Sequence, residues 1–221
     1  MLRRAEDVRG GLTGGDARGA TRATATEERL GETMFRRLIV IATLVIALGT
    51  FGGSTASADS SNETFGFLVG SDFLCGLASN ACPDVSRADN GDTIQIAGSG
   101  ALTTNPKTAS GSGTFAHKRG STTVASGTWT ATDLLSFQDY GTSSDLTIPR
   151  AAHAGTALIA VHLVVTGGPA AGLQADGVLR VTCELPGALV PGTKTEGVRL
   201  VVDDLINFNK EVSGFTVFIK V

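Results

Sequence analysis

After residue 59, apolar residues recur at every second position in short runs, and turn-forming residues separate the runs. That spacing constrains the chain more than any other feature. A period of two places alternate side chains on opposite faces of a strand, whereas an amphipathic helix needs a period near 3.6. Helical periodicity is nearly absent over the same stretch. Phe65, Phe67 and Val69 alternate, as do Ile94 and Ile96, and later Val198, Leu200 and Val202. Leu179, Val181, Cys183 and Leu185 share one face, and so do Phe215, Val217, Ile219 and Val221. Residues 156–166 are apolar on both faces, which marks a central strand.

The turns are as legible as the strands. Asp89-Asn90-Gly91-Asp92 is a strong turn signal, because Asn and Gly accept positive φ. Further turns are expected at 103–107, 118–121, 167–176 and 186–196, with a loop over 141–155. Residues 122–132 and 134–140 read as two closely spaced strand segments. Residues 203–213 fit either a short helix or a loop. The expectation is an all-β, antiparallel meander of about eight or nine strands, closed as a barrel or stacked as a sandwich. Ser110-Gly111-Ser112-Gly113 would weaken a flat strand, so it suggests a bulge or a sharply coiled sheet. Ser112-Gly113-Thr114-Phe115 is echoed 14 residues later by Ser126-Gly127-Thr128-Trp129, as two arms of one hairpin would be.

Upstream of residue 59 the sequence changes character. Phe35-Arg36-Arg37 precedes an apolar run at 38–48 broken only by Thr43, and Ala56-Ser57-Ala58 follows. That is a basic, apolar and A-x-A sequence, so residues 34–58 read as a signal-peptide helix cleaved between Ala58 and Asp59. The run is too short to span a bilayer, which needs about 20 apolar residues. Arg36-Arg37 lacks the flanking residues of a twin-arginine signal, which favours the general export route. Residues 1–33 show no apolar periodicity and read as disordered, or as an extension placed ahead of a true start at Met34. The expected mature chain, 59–221, is one secreted or cell-envelope β domain of bacterial type. Its ten basic and fifteen acidic residues give a net charge of −5. An acidic domain is unsuited to coating nucleic acid, and no membrane span is expected after cleavage.

Export bears on the cysteines. An oxidising compartment permits disulfides, and Cys75 and Cys82 are the candidate pair. Cys183 lies on an apparent core face and leaves other pairings open.

The candidate sites lack motifs. His117, His153 and His162 have no HxH or HExxH context, so no metal centre is expected. Asp84, Asp89, Asn90, Asp92 and the Asp203-Asp204 pair offer oxygens to calcium without the EF-hand spacing. There is no Gly-x-Ser-x-Gly elbow and no phosphate loop, so no cofactor is expected. His117, Trp129, Phe137, Tyr140 and His162 form a speculative pocket, with Trp129 also suited to anchoring the core.

Thr114-Phe115, the run Ala125-Ser126-Gly127-Thr128-Trp129-Thr130-Ala131 and Phe208-Asn209-Lys210 resemble secreted bacterial all-β proteins with no assigned activity. The resemblance implies a fold class and no functional residues. Three functions remain open. The first is a non-enzymatic binding or envelope-associated structural module. The second is a small barrel holding an apolar molecule. The third is a barrel-based isomerase or hydrolase using His117 or His162 beside a carboxylate.

Overall fold

The computed structural model describes residues 62–192 and 194–221. The expected N-terminal extension (1–33), signal peptide (34–58) and cleavage point at Ala58–Asp59 lie outside the described residues. The described residues are all-β, with eleven strands in one antiparallel sheet. In order they are β1 (Thr64–Val69), β2 (Asp84–Arg87), β3 (Thr93–Thr104), β4 (Lys107–Arg119), β5 (Thr122–Thr142) and β6 (Ala152–Gly167). They continue as β7 (Gln174–Cys183), β8 (Gly197–Val202), β9 (Ile206–Phe208), β10 (Lys210–Ser213) and β11 (Thr216–Lys220). A 3-10 turn, Asp72–Gly76, follows β1.

The meander is present. From β2 to β9 each strand pairs with the next. The three remaining strands make the long-range pairs. β1 lies between β3 and β11, β11 also pairs with β6, and β10 pairs with β2. The long strands β3 and β6 each share one edge between two partners. β3 gives residues 93–96 to β2 and 98–103 to β1. β6 gives Ala152 and His153 to β11 and residues 155–164 to β7. Pairing therefore runs β3–β4–β5–β6–β11–β1 and returns to β3.

The period-two residues form the core. Phe65, Phe67, Val69, Ile94, Ile96 and Trp129 are at most 2% exposed, as are Ile159, Leu179, Val181, Leu200 and Phe218. Each such side chain contributes about 1.5–3 kcal/mol by leaving water. The Phe137 ring lies 4.8 Å from Phe65 and 4.9 Å from Phe218, centroid to centroid, in tilted and edge-on contacts. In β6, residues 152–157 are all buried, and the outer half then alternates. This is the central strand that its apolar sequence implies.

Three features depart from the sequence expectation. First, residues 122–142 form one 21-residue strand rather than two, with register shifts near 131–133, 134–136 and 139–141. Extra residues at such bulges bend the strand and mask its alternation. Second, residues 203–213 hold β9 and β10 rather than a helix or a plain loop. Third, β2 was not expected. Its inward residues are Asp84 and Ser86, both 0% exposed, so a hydrophobic pattern could not disclose it.

Candidate functional site

The disulfide loop helps to build a concave apolar feature. Cys75 and Cys82 are bonded, and the Phe215 amide donates to the Ala81 carbonyl at 3.0 Å, fixing the loop against the start of β11. The 3-10 turn that leads into this loop carries Phe73, Leu74 and Cys75; Phe73 and the following Leu77 are 53% and 62% exposed, while Leu74 turns inward. Facing them are Ile148 and Pro149 from the β5–β6 loop, Leu185 and Pro186 from the β7–β8 loop, and Val217 and Ile219 of β11. They enclose a half-open apolar pocket of about 750 Å³. Ligand pockets commonly measure about 300–1,000 Å³ and are mostly apolar with a few placed polar groups.

The placed polar group is Glu196. One carboxylate oxygen accepts the Thr216 amide at 2.6 Å and the Thr216 hydroxyl at 3.1 Å, and the other accepts the Glu184 amide. Burial pushes its carboxyl up to about 7 against the lowering effect of these hydrogen bonds, and the Glu184 charge adds to the rise. Glu184 and Glu196 are the only ionisable groups among the described residues lining the pocket.

Nearby stands a second buried acid. Asp84 Oδ1 accepts the Val198 amide at 3.1 Å, and Oδ2 has no hydrogen-bond partner. Burial pushes its carboxyl up to about 8, with Glu196 and Glu211 adding repulsion. Glycines surround it. A β-carbon on Gly214 would stand 2.5 Å from Asp84 Cγ, one on Gly70 would collide with the Asp84 amide, and one on Gly197 would reach Oδ1 at 3.2 Å. Cys183, the free thiol, is fully buried and its pKa is raised by burial and by Glu196.

Each histidine has an aspartate partner. His117 Nε2 lies 2.9 Å from Asp92 Oδ2, His153 Nδ1 lies 2.9 Å from Asp139 Oδ2, and His162 Nδ1 lies 2.7 Å from Asp176 Oδ1. His153 is buried edge-on to Phe65. His162 is solvent-facing, and its bonds to Asp176 and Gln174 raise its pKa. His117 lines a second, smaller cavity.

The five residues of the speculative pocket have separate surroundings. Trp129 is 2% exposed and donates from Nε1 to the Ala97 carbonyl at 3.3 Å, as a core anchor. Phe137 belongs to the Phe65–Phe218 aromatic cluster. Tyr140 donates to Thr156 Oγ1 at 3.3 Å. His117 and His162 face their own aspartates. Sequence reasoning passed over Phe73, Leu77 and Glu196. The one available signal was an apolar Phe-Leu-Cys-Gly-Leu run across the first cysteine of the disulfide candidate, where no strand period applies.

No three metal-ligating side chains converge among the described residues. Asp89 pairs with Lys210 at 3.1 Å, and Asp92 pairs with Arg119 and His117. No helix among the described residues is long and apolar enough to cross a membrane. No family model, curated protein or solved structure matches the chain.

Proposed function

We propose that this chain is an exported β domain that binds an apolar small molecule in the pocket between the disulfide loop and β11. The pocket itself carries the reading: about 750 Å³ behind a largely apolar wall, with two phenylalanines and three leucines among its lining. Exposing Phe73 and Leu77 costs solvation free energy that a ligand would recover. Two glutamates and no basic group line the pocket, which favours a neutral or cationic ligand over a carboxylate. Export is supported by the basic, apolar and A-x-A sequence of residues 34–58 and by the Cys75–Cys82 bond. The return of strand pairing from β1 to β3 supports a barrel-like closure as the rigid frame behind the pocket.

Titration with an uncharged, solvent-sensitive naphthalene dye tests the reading. Saturable binding with a blue-shifted emission is expected. A Phe73→Ser, Leu77→Ser variant changes only exposed positions and should weaken binding by about tenfold while keeping the native melting profile. Absence of saturable binding, or equal binding by the variant, would overturn the proposal.

A further inference from the structure

A second cavity of about 340 Å³ lies apart from the disulfide loop and shares no lining residue with the first pocket. Its interior is apolar, formed by Ile94, Phe115, Leu163, Val202 and Phe208, all of them buried. Its polar wall is a short set: Asn90, Asp92, His117 and Arg119.

The turn between β2 and β3 positions that wall. Asn90 Oδ1 accepts the Asp92 amide at 3.0 Å, the Ala88 amide donates to the Asp92 carbonyl at 2.8 Å, and Gly91 takes a φ of 88° between them. The turn directs Asp92 inward, where only 3% of it is exposed. β4 supplies the partners two residues apart on one face. Arg119 donates from Nε to Oδ1 at 3.2 Å and from Nη2 to Oδ2 at 3.1 Å, and His117 Nε2 lies 2.9 Å from Oδ2. The Arg119 guanidinium, followed by His117, holds the Asp92 carboxyl below the usual range.

An ionised carboxylate only accepts hydrogen bonds, so His117 Nε2 carries the proton shared with Asp92. In the neutral imidazole the other nitrogen, Nδ1, then offers a lone pair. Among the described residues, the His117 ring pairs through Nε2 with Asp92. The ring is held edge-on to Phe208, with centroids 5.2 Å apart, and the side chain keeps 19% of its exposure. The cavity thus has an apolar interior and, beside the paired Asp92 and Arg119, an oriented neutral acceptor on His117. The Arg119 charge is already matched by Asp92. A ligand carboxylate would meet Asp92 beside it, whereas a neutral donor meets no like charge.

We propose that this cavity is a second binding site, selective for a small neutral phenol whose ring enters the apolar interior and whose hydroxyl donates to His117 Nδ1. The volume suits the class. An apolar cavity near 150 Å³ holds benzene, so this one has room for a single ring with a short alkyl tail.

The test titrates the disulfide-intact chain with 4-propylphenol, 4-propylanisole and 4-propylbenzoate, followed by NMR. The phenol should bind saturably, with shifts centred on Ala175, Val202 and the His117 ring. The methyl ether cannot donate and should bind about tenfold more weakly, as should the benzoate. His117→Phe should bring the phenol and the ether to equal affinity. If that variant fails to fold, the three-ligand series on the unaltered protein still decides. Equal binding of phenol and ether, tightest binding of the benzoate, shifts confined to Ile148 and Phe215, or no saturable binding would each overturn the proposal. Shifts at Ile148 and Phe215 would report the first pocket, so failure here is distinguishable from failure of the dye-binding reading.

Discussion

Gly113 lies directly across the β4–β5 pair from Trp129, and a β-carbon on it would stand 2.6 Å from the indole Nε1. The two echoed segments explain the arrangement. They pair antiparallel, so the glycine of each faces the aromatic of the other: Gly113 opposite Trp129, and Gly127 opposite Phe115. On β3, Gly98 sits opposite Gly113 and would meet the same indole, at 2.5 Å from Cζ2. Gly100 stands opposite Gly111, and its β-carbon would lie 2.6 Å from Phe67 Cζ. The Gly/Ser stretch is a floor on which two buried rings rest.

Gly113→Ala should therefore be severe. Its methyl group would meet the Ala97 carbonyl as well as the indole. Overpacking of this kind costs about 1–3 kcal/mol, and a backbone contact leaves little room for relief. Gly76→Ala is the control, because nothing lies within 4 Å of its β-carbon position. Urea denaturation should show a lowered midpoint for the first variant and an unfolding free energy within about 0.5 kcal/mol of the parent for the second.

Asp84 predicts an inverted pH dependence. Its carboxyl rises from 3.8 to about 8 in the fold, and Glu196 rises from 4.5 to about 7. Between those limits the folded chain holds protons that the unfolded chain releases. Stability is then greatest at the acid end of the window and falls as pH climbs toward 8, by up to about 1.4 kcal/mol per pH unit for each group. Melting temperature should rise as pH drops from 8 to 5. Asp84→Asn keeps an oxygen for the Val198 amide and removes the charge, so it should flatten the slope and raise the melting temperature at pH 9. A parent protein with its highest melting temperature at pH 9 would contradict this.

The strands were legible wherever the buried face was hydrocarbon. Phe65, Phe67 and Val69 announced β1, and Leu179, Val181 and Cys183 announced β7. β2 was hidden because Asp84 and Ser86 face inward. β9 and β10 were hidden because three or four residues cannot display a period. The pocket was illegible for a different reason. Phe73, Ile148, Leu185 and Val217 meet only after the chain has folded, and no spacing in the sequence links them. The disulfide candidate was readable because export and proximity both pointed to it.

Glu211 should prove a tie between strands that share no backbone ladder. Arg199 on β8 donates from Nε and Nη2 to the two Glu211 oxygens on β10, at 2.6 and 2.8 Å. Arg180 stands opposite Arg199 on β7, and burial lowers its pKa, with Arg199 adding repulsion. Glu211→Ala would leave two neighbouring guanidinium groups without that carboxylate, at a cost on the order of 2–3 kcal/mol. Replacing both members, as Arg199→Met with Glu211→Leu, should recover much of that loss. A double-mutant cycle by chemical denaturation measures the coupling.

Reducing the disulfide should disturb the pocket before it disturbs the sheet. The bridge closes a short loop, with a sequence separation of 7, and loops of that size contribute about 2 kcal/mol by limiting the unfolded chain. Phe73, Leu74 and Leu77 all lie within or beside the bridged segment, so the pocket wall depends on it. Cys75→Ser, Cys82→Ser should lower the melting temperature by several degrees and weaken dye binding more than Gly76→Ala does. The same variant isolates Cys183. That thiol is buried and its deprotonation is disfavoured, so a thiol-specific reagent should find no reactive group in the folded variant and one group after denaturation. Rapid labelling of the folded variant would show that β7 opens at Cys183 without the bridge.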